Sequence, residues 1–321
     1  MIAGPKNAAP APAVATVPDA PRGNWVDRAA PPSWRPYLRL ARFDRPIGAW
    51  LLLFPCWWAQ ALAELALQRP YPNPWYLALF FIGAFVMRGA GCTYNDIVDR
   101  EYDARVARTA ARPIPSGQVS VAQARMFIVA LCLIGLLILL QFNTFTIVLG
   151  AASLLLIAIY PFMKRFTFWP QAVLGLTFKW GALVGWTAVT GSLSTPAVAL
   201  YAGSVMWTIA YDTIYAHQDK EDDLAIGLKS TALRFGEATP RWLAVFYAGA
   251  ILLWGCAGIL AGAHLAFFFA LALTAVHFAW QIATLDINDP GNCLHRFRSN
   301  QTVGWMLFLG LSADMVLAAL A

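Results

Sequence analysis

Long apolar runs alternate with short polar breaks along most of this chain. From Ile47 to the C-terminus each run is about 20 residues long, enough for an α-helix to cross the hydrocarbon core of a bilayer. The runs are continuous rather than alternating, which excludes the period-2 pattern of a transmembrane β-barrel. The pattern predicts an all-α membrane protein with nine spans, at about 47–67, 75–94, 121–141, 143–163, 170–190, 196–216, 240–262, 264–285 and 301–320.

The first residues differ in composition from the rest. Residues 1–33 are rich in Ala and Pro and contain no apolar run, so we expect a disordered tail. They also lack the basic segment, compact apolar stretch and cleavage site of a signal peptide. Residues 34–45 have the pattern of an amphipathic segment at the membrane surface. The sequence thus predicts one transmembrane domain, residues 34–321, preceded by this tail.

Charge placement supports the count of spans. Of the residues, 59% are hydrophobic and 12% charged, about half the charged share of a soluble domain. With nine spans, all of the 23 Lys and Arg except Arg69 and Lys179 lie on one side. The positive-inside rule then places the N-terminus in the cytoplasm. We expect a bacterial cell inner membrane, with the active site toward the cytoplasm.

Other residue types narrow the possible functions. No long Lys/Arg run indicates nucleic-acid binding. The five cysteines are scattered without a CxxC pair, so neither a disulfide framework nor a zinc site is indicated. We therefore expect the lipid bilayer as a partner and no nucleic acid.

Acidic residues concentrate in two short windows. The first follows span two and the second ends span six, so both emerge on the same side. The strings DREYD at Asp99 and DKEDD at Asp219 match at an offset of 120 residues, which suggests two related four-helix halves plus a ninth helix. The windows together hold nine of the 17 acidic residues: Asp96, Asp99, Glu101, Asp103, Asp212, Asp219, Glu221, Asp222 and Asp223.

The spacing within the windows indicates metal binding. On a helix, Asn95, Asp99 and Asp103 share one face, and so do Asp219 and Asp223. Like charges at that spacing repel unless a cation neutralises them. Oxygen ligands suit Mg²⁺, which binds a few carboxylates together with a substrate phosphate. Two such faces at one end of a bundle could hold two ions across a diphosphate. The alternative is a solvated acidic surface at the membrane boundary.

Cations accompany the acids. Arg and Lys can hold a diphosphate and stabilise the charge that grows as it leaves. The alternative for each is an ordinary residue of the positive side. Arg88 and Lys179 lie within or at the edge of spans, where an ionisable group is a functional candidate. The other candidates are Arg108, Arg112, Lys164, Arg165 and Lys229.

The same residues carry a family resemblance. NDIVDREYD and DKEDD resemble the NDxxDxxxD and DxxxD signatures of the UbiA superfamily of intramembrane aromatic prenyltransferases. Four longer strings are similar to the branch that prenylates 4-hydroxybenzoate in ubiquinone synthesis: ARFDRPIGAWLLLFPCWWA, RGAGCTYNDIVDREYDARVARTAARPIPSG, YPFMKRFTFWPQ and AYDTIYAHQDKEDDLAIGLKSTALRFG. The resemblance covers nearly everything from residue 35 onward.

This resemblance implies nine transmembrane helices around a central cavity that opens laterally to lipid, with 4-hydroxybenzoate and a polyprenyl diphosphate as substrates and Mg²⁺ as cofactor. The implied Mg²⁺–diphosphate ligands are Asn95, Asp99, Asp103, Asp219 and Asp223, with Asp96 matching the motif but pointing off the Asn95 face. The implied contacts to diphosphate or the aromatic carboxylate are Arg108, Arg112, Lys164 and Arg165. A further implied basic position near the cavity mouth is Arg45. The expected substrate-binding set is completed by Arg88, Tyr160, Lys179 and Lys229.

The expected reaction joins the prenyl chain to carbon 3 of 4-hydroxybenzoate. Three alternatives stay open at this point. Another branch of the superfamily would use homogentisate, naphthoate or haem as acceptor. A cation-coupled transporter would place its ion site near the bilayer midplane, whereas these acids lie at helix ends. A CDP-alcohol phosphotransferase would carry a DGxxAR pattern, which is absent from the sequence.

Overall fold

The computed structural model of the protein describes residues 23–106 and 109–320. The secondary structure of these residues is helical, without a strand, which confirms the predicted all-α class. The helices are α1 Trp25–Ala29, α2 Arg35–Leu40, α3 Ile47–Ala66, α4 Pro74–Asp103, α5 Val121–Leu139, α6 Thr144–Ile159, α7 Met163–Phe166, α8 Pro170–Phe178, α9 Gly181–Thr190, α10 Thr195–Ala216, α11 Lys220–Ala225, α12 Thr231–Phe235, α13 Thr239–Ala261, α14 Leu265–Ala283 and α15 Pro290–Leu320.

Among the described residues, eight helical segments are long and apolar enough to cross a membrane, rather than the nine predicted. The missing one is α10, which occupies the predicted sixth span. Its polar residues explain the difference, since the helix carries Asp212 and three tyrosines besides its Ser and Thr side chains. Ser204, Thr208 and Thr213 are fully buried, and each donates to the carbonyl four residues earlier at 2.6–2.9 Å. A helix surrounded by protein can carry such polar groups, which lower its mean hydropathy without exposing them to lipid.

Local chemistry determines where the helices begin and end. The Asn73 side chain accepts from the backbone N–H groups of residues 75 and 76, and Pro74 follows at the first helical position of α4. Ser120 and Gln123 form a capping box at the start of α5. At the other end of α9, Gly191 takes the left-handed conformation (φ 73°) that terminates helices.

The helices differ in how much protein surrounds them. In α3, 78% of the apolar window is buried inside the protein, against 11% for α5 and for the segment Thr144–Phe166. The interior next to α3 is aromatic, since Trp58, Trp207 and Trp254 are fully buried with ring centroids 5.2–5.7 Å apart. Helix α3 is therefore the centre of the bundle, and α5 and α6 form an edge that faces lipid.

The structure corrects the prediction of a disordered tail at the C-terminal end of that segment. Residues 1–22 lie outside the described residues, but residues 25–29 form α1. The Asn24 side chain caps this helix, Val26 is fully buried, and Asp27 pairs with Arg39 at 2.8 Å. A cap, one buried apolar side chain and an ion pair thus fix residues that the Pro-rich composition assigned to the tail.

Candidate active site

A central cavity of about 630 Å³ lies among α3, α4, α5, α6 and α10. Phe80 and Asp99 both line it and stand 19 residues apart on α4, so the cavity runs roughly 28 Å along the helix. This confirms the predicted central cavity. The predicted site residues on its wall are Arg45, Arg88, Asn95, Asp96, Asp99, Asp103, Arg112, Tyr160, Lys164, Asp219 and Asp223.

The first acidic motif lies on the last turns of α4. Asp99 is fully buried and accepts hydrogen bonds from Asn95 Nδ2 at 2.9 Å and from Lys164 Nζ at 2.7 Å. Arg165 Nη2 lies 3.4 Å from the other carboxylate oxygen. Lys164 and Arg165 belong to α7, a single turn that follows α6 through a 3-10 turn at Tyr160–Phe162. The short α7 therefore places two cations directly against the motif.

The second acidic motif is not one regular helix. Helix α10 ends at Ala216, a 3-10 turn covers His217–Asp219, and α11 begins at Lys220. We predicted that Asp219 and Asp223 share a helical face, but Asp219 is the residue that precedes α11. Both side chains still line the cavity.

Two contacts hold this broken segment in place. His217 is buried, and burial, with the nearby Lys220 charge, lowers the pKa of its imidazole to about 4, so the ring is neutral at pH 7. Its Nε2 lies 2.9 Å from Thr239 Oγ1 at the start of α13. In the next connection, the Lys229 N–H donates to the Lys164 carbonyl at 2.8 Å. This last bond joins the segment after the second motif to the cations of the first.

Asp96 occupies a different position from its neighbours in the motif. Its carboxylate is fully buried and accepts from Arg42 and from Arg112. Arginines thus bind both of its oxygens. Sequence reasoning missed Arg42 altogether, because it precedes both motifs and belongs to the segment interpreted as an interfacial lead-in.

Two predicted lysines do not line the cavity. Lys179 is fully buried behind the wall, where its Nζ donates to the Leu51 carbonyl at 2.6 Å and lies 4.3 Å from the Trp207 ring centroid. Pro55 lacks the N–H that would bind that carbonyl within α3, so Lys179 replaces a missing helical hydrogen bond. Lys229 Nζ donates to the Phe166 carbonyl at 3.2 Å. The predicted Arg108 lies outside the described residues.

Arg88 lines the cavity deeper along α4. It precedes Asn95 by seven residues, about 10 Å along the helix. Its guanidinium lies 4.8 Å from the Phe178 ring centroid, and its Nε is buried without a hydrogen-bond partner among the described residues. Gly48 on α3 makes room for it, because a Cβ there would lie 2.7 Å from Nε.

Asp212 also lines this deeper region of the cavity. Sequence reasoning did not select it as a site residue. The signal was present, since Asp212 is an ionisable residue inside a predicted span, which is the rule that selected Arg88.

The side chains at the acidic end of the cavity offer the type of ligand atom that Mg²⁺ prefers. Asn95, Asp99, Asp103, Asp219 and Asp223 supply only oxygen atoms, which are the ligands of a hard cation. Within residues 23–106 and 109–320, no three His, Cys, Asp or Glu side chains converge closely enough to hold a metal by themselves. Such a donor set suits an ion that keeps its waters and completes its shell with substrate phosphate.

A helical bundle with a long apolar cavity and two acidic motifs at one end belongs to the class of membrane-embedded enzymes that act on lipid-soluble phosphate esters. The chain is a member of the UbiA prenyltransferase family, whose model matches residues 52–310. This confirms the resemblance seen in the acidic motifs.

Curated relatives support the membership. The chain is 50% identical over 288 residues to the mitochondrial 4-hydroxybenzoate polyprenyltransferase of Bos taurus, covering 89% of this chain and 77% of the relative. Against the Arabidopsis thaliana protein of the same name it is 49% identical, with coverages of 90% and 70%. Among solved structures, the apo UbiA homologue of Aeropyrum pernix K1 matches with a TM-score of 0.68 and 25% identity, covering 82% of this chain and 98% of the other.

A second solved structure shows the fold alone. The Archaeoglobus fulgidus UbiA homologue, described as bound to GPP and Mg²⁺, matches with a TM-score of 0.59 at 18% identity, covering 88% of this chain and 99% of the other.

The expectation of a bacterial inner membrane is wrong by this comparison. The relatives above, and the human one at 50% identity over 285 residues, are named as mitochondrial enzymes and point to a mitochondrial membrane. The physical reason for the error is simple. Charge asymmetry tells which side of a membrane a loop occupies, but it carries no information on which membrane that is.

Proposed function

We propose that this chain transfers a polyprenyl group from a polyprenyl diphosphate to carbon 3 of 4-hydroxybenzoate, a step of ubiquinone synthesis. The observation that carries the proposal is the arrangement of one cavity. Two acidic motifs with Arg112 and Lys164 line one end, Arg88 and Asp212 lie deeper, and apolar side chains line most of the remaining length. Relatives about half identical in sequence carry the corresponding name.

The acidic end binds the diphosphate. Asn95, Asp99, Asp103, Asp219 and Asp223 would hold Mg²⁺, which neutralises the phosphate charge when bound. The cations Lys164, Arg165 and Arg112 already lie against Asp99 and Asp103 at 2.7–3.4 Å, so they need little movement to meet the substrate. Their fixed positive charge stabilises the negative charge that grows on the leaving diphosphate.

The prenyl tail follows the apolar part of the cavity. Ile138, Leu154 and Ile157 on the lipid-facing edge and Phe80 and Phe142 at the far end provide that surface. Burying each CH₂ group of the tail gains about 0.8 kcal/mol relative to water. Access through the α5–α6 edge allows the tail to pass between cavity and bilayer without entering water.

The acceptor binds between the acidic end and the deeper region. Arg88 offers its guanidinium to the carboxylate of 4-hydroxybenzoate, and Tyr160 lies on the same cavity wall. The allylic C–O bond of the donor then breaks and leaves a delocalised cation. Carbon 3, activated by the ring hydroxyl, attacks this cation, and the ring proton passes to the departing diphosphate. Apolar walls exclude water, which would otherwise capture the cation.

The topology is part of the proposal. Helix α10 is the sixth of nine spans and packs against α13, α8 and α9. The N-terminus lies on the side that carries the acidic motifs and nearly all Lys and Arg, as the charge distribution indicates. The two motifs at an offset of 120 residues reflect two related four-helix halves, with α15 as the additional helix.

A direct assay tests the proposed reaction. Membranes that contain the chain are incubated with radiolabelled 4-hydroxybenzoate, a polyprenyl diphosphate and Mg²⁺, with EDTA in the control. We expect labelled lipid-soluble product in the sample and none in the control. Purified protein is then offered homogentisate and a naphthoate under the same conditions. Faster transfer to either of them than to 4-hydroxybenzoate would show that the acceptor is wrong.

A further inference from the structure

The buried Asp96 carboxylate lies between two guanidinium groups. Arg42 Nη2 donates to its two oxygens at 2.7 and 2.9 Å, and Arg112 Nη1 lies 3.2 Å from Oδ1. A carboxylate removed from water is costly unless it is paired and hydrogen-bonded, and here both conditions are met. Asp96 therefore links the N-terminal segment to the α4–α5 connection.

Arg112 is the residue that this link reaches. The same nitrogen, Nη1, also donates to Asp103 Oδ2 at 2.8 Å, so two carboxylates hold one corner of the guanidinium. Because the group is planar and rigid, fixing that corner sets the direction of the remainder. Arg112 lines the cavity, and its Nε is buried without a partner among the described residues. The remaining N–H donors of the Arg112 guanidinium are thus positioned to bind an anionic ligand.

Arg42 sits in a backbone conformation that an arginine disfavours. Its φ is 62°, and the bonds from Phe43 N to Leu38 O (2.9 Å) and from Arg42 N to Arg39 O (3.1 Å) form the turn that ends α2. Glycine is the usual residue at this left-handed position, because any Cβ is strained there. Such strain persists where surrounding contacts impose it, and it concentrates at functional sites.

The chain contains a matched example of the same turn. Gln68 (φ 56°) ends α3 with bonds from Gln68 N to Leu65 O (2.8 Å) and from Arg69 N to Glu64 O (2.9 Å). Its side chain is exposed and lies away from the cavity residues. The two turns have the same backbone conformation and differ in what the side chain binds, so Gln68 serves as a control for relief of the backbone strain.

We propose that Arg42 is a positioning residue for the diphosphate site, acting through Asp96 to orient Arg112. The inference rests on the proposed function and extends it to a residue outside both acidic motifs. Without Arg42, the Asp96 carboxylate must draw Arg112 toward itself to remain compensated. Arg112 would then turn away from the leaving diphosphate.

Substitution by glycine distinguishes the effect of the strained backbone from the effect of the side chain. Arg42→Gly relieves the left-handed strain and removes the guanidinium, while Gln68→Gly relieves the same strain at the control site. Transfer from geranyl diphosphate to 4-hydroxybenzoate is measured for both purified proteins. For Arg42→Gly we expect KM for the diphosphate to rise about 10- to 100-fold, the worth of one charge-assisted hydrogen bond, with KM for 4-hydroxybenzoate unchanged. Arg42→Lys should recover part of the loss, and Gln68→Gly should retain full activity.

Two further measurements cover other outcomes. If Arg42→Gly does not fold, the double variant Arg42→Gly with Asp96→Asn, which leaves no buried carboxylate without its cation, is compared with Asp96→Asn alone. Because Arg42 acts through Asp96, the two should have the same KM for the diphosphate, and a higher KM in the double variant would overturn the proposal. Asp96→Asn alone should raise KM for the diphosphate at every Mg²⁺ concentration. Recovery of its activity by excess Mg²⁺ would instead make Asp96 a metal ligand and overturn the proposal.

Binding of inorganic pyrophosphate with Mg²⁺, followed by calorimetry, separates this inference from the proposed reaction. Weaker binding by Arg42→Gly than by the parent chain supports the positioning role even if 4-hydroxybenzoate is not the acceptor. Equal pyrophosphate affinity and equal diphosphate KM in the two proteins would refute it, whatever the acceptor.

Discussion

The buried Lys179 gives a sharp test of how this helical bundle satisfies its backbone. Pro55 lies inside α3 and cannot donate to the Leu51 carbonyl, and Lys179 Nζ donates to that carbonyl at 2.6 Å. Lys179→Met removes the donor and leaves a buried carbonyl unpaired, at a cost of about 1–3 kcal/mol. The same change also removes a buried amine, whose desolvation is itself costly, and this offsets part of that cost.

The coupling between the two residues is therefore more informative than either single change. Pro55→Ala restores a backbone N–H four residues after Leu51, so the carbonyl regains a helical partner. We expect Lys179→Met to be less destabilising in the Pro55→Ala background by about 1–2 kcal/mol, roughly the net worth of the recovered hydrogen bond. Unfolding by SDS in mixed micelles, followed by circular dichroism, measures all four proteins of the cycle.

A control cycle pairs Pro55→Ala with Lys229→Met. Lys229 also donates to a backbone carbonyl, that of Phe166, but in a partly exposed connection far from Pro55 in sequence. Its effect should add to that of Pro55→Ala without coupling. Additive effects of Lys179→Met and Pro55→Ala would refute the explanation given for the buried lysine.

Two further predictions concern packing and pH. Gly304→Ala should destabilise by about 1–3 kcal/mol, because its Cβ would lie 2.0 Å from the buried Phe54 ring, whereas Gly255→Ala meets only an ordinary contact at 3.5 Å and should be tolerated. The folded pKa of His217 is about 4 against 6.5 for the free group, so its contribution to stability is full above pH 6.5 and is lost as the pH falls toward 4. His217→Gln should flatten the pH dependence of SDS unfolding across that window, and an unchanged dependence would assign it to other groups.

Sequence patterns predicted the helices well because apolar runs and caps are local features. The first acidic motif was also predictable, since a spacing of four residues on one continuous helix places Asn95, Asp99 and Asp103 on one face. The geometry of the second acidic motif was less predictable from the sequence. The break at His217–Asp219 depends on contacts with α13 and the preceding connections, which spacing does not encode.

That an ionisable residue lies inside a span was easier to predict than the direction in which its side chain points. Arg88 and Lys179 are both ionisable residues in spans, but Arg88 lines the cavity and Lys179 turns to a carbonyl freed by Pro55. Their different positions follow from tertiary contacts of α3. The role of Arg42 was also hidden, because a left-handed arginine has no sequence signal where glycine is the usual residue.

The central claim is that both acidic motifs serve one diphosphate site. Its most direct test is transfer of a polyprenyl group to radiolabelled 4-hydroxybenzoate by Asp99→Asn and Asp219→Asn, assayed with saturating Mg²⁺ after folding has been verified. Glu101→Gln is the matched control, since this acid belongs to the first window but its side chain is 74% exposed and pairs with Arg100. We expect the control to retain full activity and both aspartate variants to lose transfer. Full turnover by either aspartate variant would contradict the account.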